Sequence, residues 1–503
     1  MCIRDSIQTN ACAGNVALYE YENLSAKKGE QLGMFELGST ILILSEQGAV
    51  KFDLAAEQKL KYGDKIGVIL VTAMTYPWME PSMEQTVACI TTRGGKNDHT
   101  PIWCKEHGLP CAVSVKGAPE FLKDGSLITY YGVGDTPAFY EGRHQYSVTE
   151  TQLEGLKPSP IPIRLIVSDA STARSVCMRS YFPSLNIGRG SGLVRWEMLA
   201  AKLRVHPMAV MNYSTLENDF LQLVGQGRMT KEEAVKTAES VAEFIRTESG
   251  ELSPVDWYVK ALAREIAGIV SPYYTDDINE PMVVRLPDFK TNEHADLLGG
   301  RAYELVEENP MLGDRGAGKY LGAYQKAFLA IDLKALAYVI NDMGYTNIHI
   351  EVPFVRTPDE MKEVARLVKE SGINIPLQMM FELPVNISRA TEFFKVSDGG
   401  QIGSNDLLQL EFGLDRSGGD ILPWHIQHLQ SRIENLIQER NTTKPEFHLG
   451  LCGNLPSTNP EFAKWLVDAG IDEFSVTPDA LIPALLGVTG ETPDGKQNIT
   501  VYT

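Results

Sequence analysis

Three features are missing from this sequence: a long run of lysine and arginine, an apolar stretch of membrane length, and cysteines at metal-ligand spacing. The first absence, with a formal net charge of −19, excludes nucleic acid and anionic membrane as partners unless basic groups gather locally. A small anionic substrate needs the same kind of local cluster. The other two absences, together with the lack of a secretory start, predict a reduced, cytoplasmic protein without a membrane anchor. The seven cysteines, at 2, 12, 89, 104, 111, 177 and 452, are odd in number and scattered, which argues against a disulfide framework. What is present is ordinary globular material: 503 residues, 43% apolar and 22% charged, enough for one large core or two to three smaller ones. The opening "MCIRDS" has neither the shape of a signal peptide nor a capping role, so the polypeptide is expected to begin earlier.

The chain changes texture along its length. Residues 1–45 have no assignment. Over 46–150, "KIGVILVT", "TVACITT", "CAVSV" and "SLITYYG" read as short strands of a small α/β domain. Residues 151–163 read as a link, because the prolines of "KPSPIPI" forbid helix and favour extended chain. From 164 to 490 strand, loop and helix repeat, and 491–503 is a tail. "NIHIEVPFV" (347–355) is an apolar strand, followed by Thr357 as N-cap, Pro358 at the first helical position and Glu360 completing a capping box. "FHLGLCGN" (447–454) with Asn459 and Pro460 repeats the design. Further strands are read at 163–169, 191–197, 281–289, 375–383 and 399–407. Such alternation specifies parallel strands covered by helices. The fold class is α/β, a small domain followed by a (β/α)8 barrel, with a doubly wound open sheet as the rival.

In a barrel, chemistry sits at strand C-terminal ends. Those ends carry Arg195 and Glu197, Arg285, Glu351, Glu382, Asn405 and Asp406, and Cys452, with Arg315 and Arg416 on flanking loops. Guanidinium groups suit a carboxylate or phosphate, and Glu382 with Asp406, read as lying on adjacent strands, suits Mg²⁺. Taken singly, an arginine here is an ion-pair partner and a carboxylate a helix cap; the joint pattern points to a site. Cys452, at a strand end before glycine, is expected to be exposed at the barrel mouth, where a thiol can exchange a proton with carbon. His107, His206, His294, His425 and His428 are read as packing or surface residues.

The stretch "TTRGGKNDHTPIWCKEHGLPCAV" resembles the phosphohistidine loop of enzymes that use phosphoenolpyruvate. "VVRLPDFKTNEHADLLGG", "EENPMLGDRGAGKY", "VPFVRTPDEM", "FELPVN", "IGSNDLLQLEFGLDR" and "GLCGNLPS" are similar, in that order, to the C-terminal barrel of the phosphoenolpyruvate synthases (pyruvate, water dikinases). The resemblance covers about residues 60–480. It implies that His99 carries a phosphoryl group on a swivelling domain, that Glu382 and Asp406 hold Mg²⁺, and that Cys452 moves the methyl proton of pyruvate. Arg195, Arg285, Arg315 and Arg416, with Gly403, Ser404 and Asn405, would bind carboxylate and phosphoryl oxygens. A homodimer through the barrel is common in this family. ATP would enter only through a nucleotide-binding region that the visible sequence lacks. The sequence departs from the family where Asn97 and Asp98 stand before His99 in place of Thr and a small residue. Pyruvate phosphate dikinase and enzyme I share the loop and barrel. A lyase acting on a Mg²⁺-bound enolate, or a binding protein without catalysis, remains an alternative on the same barrel.

Overall fold

The computed structural model describes residues 16–17, 34–35, 68–75, 86–94, 99–106, 109–123, 125–131, 138–142, 146–150, 155–168, 170–177, 184–274, 280–322, 326–414, 421–491 and 498–502. The chain divides into two units, one of residues 151–497 and one of residues 1–150 with 498–503.

In the larger unit eight strands pair in parallel and close on themselves: β1 (Ile163–Val167), β2 (Ile187–Arg195), β3 (Met282–Arg285), β4 (Ile348–Val352), β5 (Leu377–Phe381), β6 (Gly399–Ile402), β7 (His448–Leu451) and β8 (Glu473–Val476). Closure is made by β8 on β1, with Phe474 opposite Ile163 and Val476 opposite Leu165. The barrel is therefore the architecture, and the open sheet is excluded. Every residue of β1, β5, β6 and β8 is buried. Burial on both faces is why β1 and β5 read as predominantly apolar runs rather than as alternation, although β6 (Gly-Gly-Gln-Ile) and β8 (Glu-Phe-Ser-Val) do not.

The helices follow their sequence signals. In Pro358–Glu370 the Thr357 hydroxyl accepts from the Glu360 amide and the Glu360 side chain reaches back, while Met361, Val364 and Val368 face the barrel. The Asn459 side chain likewise accepts from the Phe462 amide to cap Pro460–Ala469, without a reciprocal bond, and Gly470 ends the helix in the left-handed region. One element the sequence reading passed over is a helical insertion between β2 and β3, formed by Leu216–Gly225, Lys231–Ser249 and Pro254–Val270. Among the described residues no helix is long and apolar enough to cross a membrane.

The barrel interior is layered. Toward the strand N-termini it is polar: Arg164 Nε donates to Glu473 Oε2 at 2.7 Å and Gln401 Nε2 to Glu473 Oε1 at 2.8 Å. Arg164 Nη1 also meets Glu280 Oε2 at 2.5 Å, and His448 Nε2 lies 3.2 Å from Glu473 Oε2. Burial alone would raise the Glu473 pKa, but the His448 hydrogen bond and the Arg164 charge bring it down to about 2. Above this layer Ile166, Leu193, Met380 and Cys452 form an apolar floor beneath the mouth. The proline-rich segment is tied to the barrel unit: Ser159 N–H donates to the Leu185 carbonyl at 2.9 Å and Asn186 Nδ2 to the Ser159 carbonyl at 3.1 Å.

In the smaller unit Val68–Thr72, Thr86–Thr91 and Cys111–Ala112 pair in parallel, and Ile128–Tyr131 forms a hairpin with Ala138–Glu141. Helix His99–Glu106 crosses between the second and third of these strands. Cys89, Trp103 and Cys104 form one buried cluster of this unit, and Ile90, Ala112 and Ala118 form another. The C-terminal segment Asn498–Tyr502 pairs antiparallel with Tyr146–Glu150, so the end of the chain belongs to this unit as a strand.

Because Arg164 compensates the buried Glu473 and the partly buried Glu280, Arg164→Met is expected to cost about 3–5 kcal/mol of unfolding free energy in denaturant titration. Adding Glu473→Leu and Glu280→Leu should restore most of that loss.

Candidate active site

The barrel mouth is organised by Asp288, three residues beyond the end of β3. Arg315, which precedes helix Gly316–Leu321, is almost fully buried and grips Asp288 with two parallel bonds, Nε to Oδ1 at 3.0 Å and Nη2 to Oδ2 at 2.6 Å. Its remaining arm donates to Asp406 Oδ1 at 3.0 Å. Arg285, the last residue of β3, meets Asp288 Oδ2 at 3.3 Å and Glu197 Oε2 at 3.1 Å. Glu197 also accepts the Asp288 amide. Burial alone would raise the Asp288 pKa; Arg315 and Arg285 outweigh it and hold the carboxyl below its usual range. The Phe354 ring lies against the Arg315 guanidinium at 4.3 Å and against Arg356 at 4.9 Å. Phe354 has φ 50°, a conformation that costs an L-residue free energy, and its amide donates to Glu382 Oε1 at 2.6 Å. Gly316, with φ 58°, must be glycine, since a Cβ there would lie 2.5 Å from the Pro353 carbonyl.

Glu382 follows β5 and is fully buried, and its Oε2 meets no hydrogen-bond partner among the described residues. Burial first, then the charges of Asp406 and Asp288, push its pKa up to about 8 against the pull of Arg315 and Arg285. Asp406 stands in the first turn of helix Ser404–Phe412 after β6, and not on the strand itself as the sequence suggested. Gly403 is required by contact, because a Cβ would lie 2.8 Å from that of Glu382. Gly453 is required too, where a Cβ would fall 1.7 Å from Ser404 Oγ. Ser404 Oγ has no partner among the described residues, and Asn405 Oδ1 accepts from the Asn454 amide at 3.2 Å.

Cys452 lies just past β7, and here the structure corrects an expectation: the thiol is 4% exposed, packed on Ile166, Leu193 and Met380. The inward alternation of the strand places it on the apolar floor rather than at the rim. Burial, and then the charge of Glu351, raise its pKa well above the usual thiol value, while Arg285 and Arg195 pull it down. Arg195 ends β2, and Arg285 Nη1 touches Met380 Sδ at 3.8 Å. Arg285, Arg315, Glu382, Asp406 and Cys452 therefore share one mouth. Arg416 lies outside the described residues, as do Asn97 and Asp98. His99 is the first residue of its helix, and its side chain is outside the described set.

Sequence reasoning missed Asp288 and Phe354. It also read His206 and His294 as unremarkable. They are fully buried and converge on Glu304 Oε1 at 3.1 and 2.7 Å, while Lys319 Nζ meets Glu304 Oε2 at 2.6 Å. Two imidazoles and a carboxylate so close resemble a metal-binding set. The tautomers argue otherwise. The Met208 amide donates to His206 Nδ1 at 3.1 Å, which leaves the ring proton on Nε2, the atom a metal would need bare. Lys319 already neutralises the carboxylate. The cluster is a hydrogen-bonded brace, and Phe289 stacked on His294 at 4.6 Å links it to Asp288 next in sequence. No spacing in the sequence signals it, since the two histidines are 88 residues apart.

A parallel barrel with arginines and buried carboxylates at its mouth is the frame of an enzyme site for a small anion. Comparison with known proteins agrees. The model of the PEP-utilising enzyme PEP-binding domain matches residues 189–489, and that of the PEP-utilising enzyme mobile domain matches residues 65–132. The chain belongs to the PEP-utilising enzyme family. A phosphatidylserine decarboxylase model matches residues 6–68, nearly all outside the described residues, and carries no argument here. The phosphoenolpyruvate synthase of Neisseria meningitidis serogroup B is 34% identical over 456 residues, 88% of this chain and 53% of the relative. Those of Aquifex aeolicus and Escherichia coli are each 33% identical, covering 89% and 87% of this chain and 54% and 52% of the relatives. The chain thus spans about half the length of the curated relatives it matches.

The brace has a pH signature. Burial holds His206 and His294 below the usual imidazole range, and its neighbours hold Glu304 below the carboxylate range despite burial. The folded state therefore binds fewer protons than the unfolded state, so stability is fully present above about pH 6.5 and falls as pH drops, first through the histidines and below about pH 4.3 through Glu304. Unfolding free energy should decline from pH 7 to 5, and His294→Phe should flatten that slope. Added Zn²⁺ should leave the melting temperature unchanged.

Proposed function

We propose that this chain is the pyruvate- and phosphohistidine-bearing part of a phosphotransferase that interconverts pyruvate and phosphoenolpyruvate. The observation that carries it is the mouth itself: Arg285 and Arg315, locked by one carboxylate, beside Glu382 and Asp406, above a buried thiol. Family membership and the relatives' names support the same reading. The carboxylates at the mouth, Glu197, Asp288, Glu351, Glu382 and Asp406, outnumber Arg195, Arg285 and Arg315 among the described residues, and Glu382 Oε2 lacks a partner. All are oxygen donors, so a hard divalent cation fits. Bound by Glu382 and Asp406, Mg²⁺ would polarise the substrate's oxygen and stabilise charge as it develops.

The chain's own residues supply the rest. The guanidinium groups of Arg195, Arg285, Arg315 and Arg416, with Asn405, Ser404 and the backbone at Gly403, take the carboxylate and phosphoryl oxygens and fix their orientation. From phosphoenolpyruvate, the bond between phosphorus and the enol oxygen breaks as one forms to an imidazole nitrogen of His99, and the oxygen keeps the electron pair. Cys452, whose raised pKa keeps it protonated at neutral pH, then gives its proton to C3, and pyruvate forms. In the reverse direction the thiolate removes that proton and the enolate oxygen takes the phosphoryl group back. The low dielectric around Cys452 strengthens the arginines' effect on the enolate. A cytoplasmic location and a homodimer through the barrel complete the proposal.

The test is incubation of the chain with Mg²⁺ and phosphoenolpyruvate labelled in its phosphoryl group. Acid-labile, base-stable label should appear on wild type and be lost in His99→Ala. Exchange of C3 protons of pyruvate with solvent should be lost in Cys452→Ala. Bound phosphoenolpyruvate with no label on the protein would defeat the proposal. Because the Glu382 pKa is raised to about 8, this group holds a proton at pH 7 in the absence of cation. Mg²⁺ binding should therefore release about one proton at pH 7 and none at pH 9.5, read by calorimetry in buffers of different ionisation enthalpy.

A further inference from the structure

Glu351 is the one carboxylate at the mouth that the reading above leaves without work. It sits on β4 in register with Arg285 of β3 on one side and Gln378 of β5 on the other. Strand alternation puts it on the inner face with His349, whose Nδ1 meets Gln378 Nε2 at 3.0 Å. It is fully buried, and neither of its oxygens meets a hydrogen-bond partner among the described residues. Arg285, its neighbour in register, pairs with Glu197 and Asp288 through its two Nη atoms, and its Nε, like both oxygens of Glu351, meets no hydrogen-bond partner among the described residues. A carboxyl in that condition costs free energy unless something brought to the site satisfies it.

The position of Glu351 says which part of a ligand that is. Arg285 touches Met380, and Met380 packs against Cys452. Among charged groups Glu351 acts most strongly on the Cys452 thiol. Burial pushes the Glu351 carboxyl well above the usual carboxylate range, with Arg285 opposing the rise and Glu382, Glu473 and Asp288 adding to it. Glu351 therefore belongs to the Cys452 side of the mouth, where C3 of a 2-oxo acid lies if Cys452 exchanges its proton with that carbon. The carboxylate and keto oxygens are the business of the arginines, Glu382 and Asp406. A methyl group at C3 offers Glu351 nothing. A hydroxyl there donates a hydrogen bond that a carboxyl accepts in either protonation state.

We propose that Glu351 is a specificity residue: its carboxyl accepts a hydrogen bond from a hydroxyl on C3, so that among 2-oxo acids this mouth prefers a 3-hydroxy-2-oxo acid to unsubstituted pyruvate. This rests on the reading of Cys452 and the arginines given above. A pocket that leaves a buried polar group unpaired discriminates against the ligand lacking the matching group, here by about 10–100-fold.

The test titrates pyruvate and 3-hydroxypyruvate separately into the full chain with Mg²⁺, in wild type, Glu351→Gln and Glu351→Met. Wild type should bind 3-hydroxypyruvate at least about 10-fold more tightly. Glu351→Gln should keep most of that preference through its amide oxygen. Glu351→Met should abolish it while unfolding no earlier than wild type, because it removes an unpartnered buried carboxyl. Equal affinity for the two acids in wild type, or an unchanged preference in Glu351→Met, would overturn the selectivity and leave the pyruvate site standing. Binding of neither acid by wild type would overturn the pyruvate site and the selectivity with it.

Discussion

The mouth of the barrel depends on one carboxylate held between two guanidinium groups. Arg285 comes from the end of β3 and Arg315 from a loop beyond it, and their like charges would drive them apart without Asp288. At an effective dielectric near 20, each close pair contributes on the order of 4 kcal/mol of attraction, set against a desolvation cost of several kcal/mol for each buried ion. Asp288 is itself aimed by Glu197, which accepts its amide, and by the Tyr320 hydroxyl, which donates to the preceding Pro287 carbonyl. The brace of His206, His294, Glu304 and Lys319 stands behind, joined through the Phe289 ring.

Around this centre the backbone approaches more closely than side chains allow. Gly316 fits against the Pro353 carbonyl, Gly403 against Glu382 and Gly453 against Ser404. Phe354 is forced to positive φ because its ring must cover Arg315 and Arg356 while its amide reaches Glu382. One residue thus sets the positions of an arginine and of a candidate metal-holding carboxylate, and its backbone strain is offset by those contacts.

Much of the barrel was legible because its signals are local. Predominantly apolar runs such as that of β5, and the Thr357-Pro358-Glu360 and Asn459-Pro460 starts, need only neighbours in sequence to act. The strand-end residues were legible for the same reason, since a strand's end and its direction can be read from the run. Asp288, Phe354 and the brace were not, because their roles arise from contacts between segments far apart in the chain. The burial of Cys452 depended on which face of β7 points inward, and a four-residue strand does not settle that alone. The insertion between β2 and β3 escaped attention because helices carry no barrel signal.

Closure of the barrel by its first and last strands has a consequence for biogenesis. Arg164 on β1 and Glu473 on β8 are 309 residues apart in sequence. At about 5–20 residues per second on the ribosome, β1 waits roughly 15–60 s for the strand that covers its open edge, with a buried-type cation awaiting its counter-charge. The last strand therefore acts as a checkpoint. A nascent barrel halted before Glu473 retains an unpaired edge and an uncompensated charge, which marks it for chaperones and proteases rather than for service.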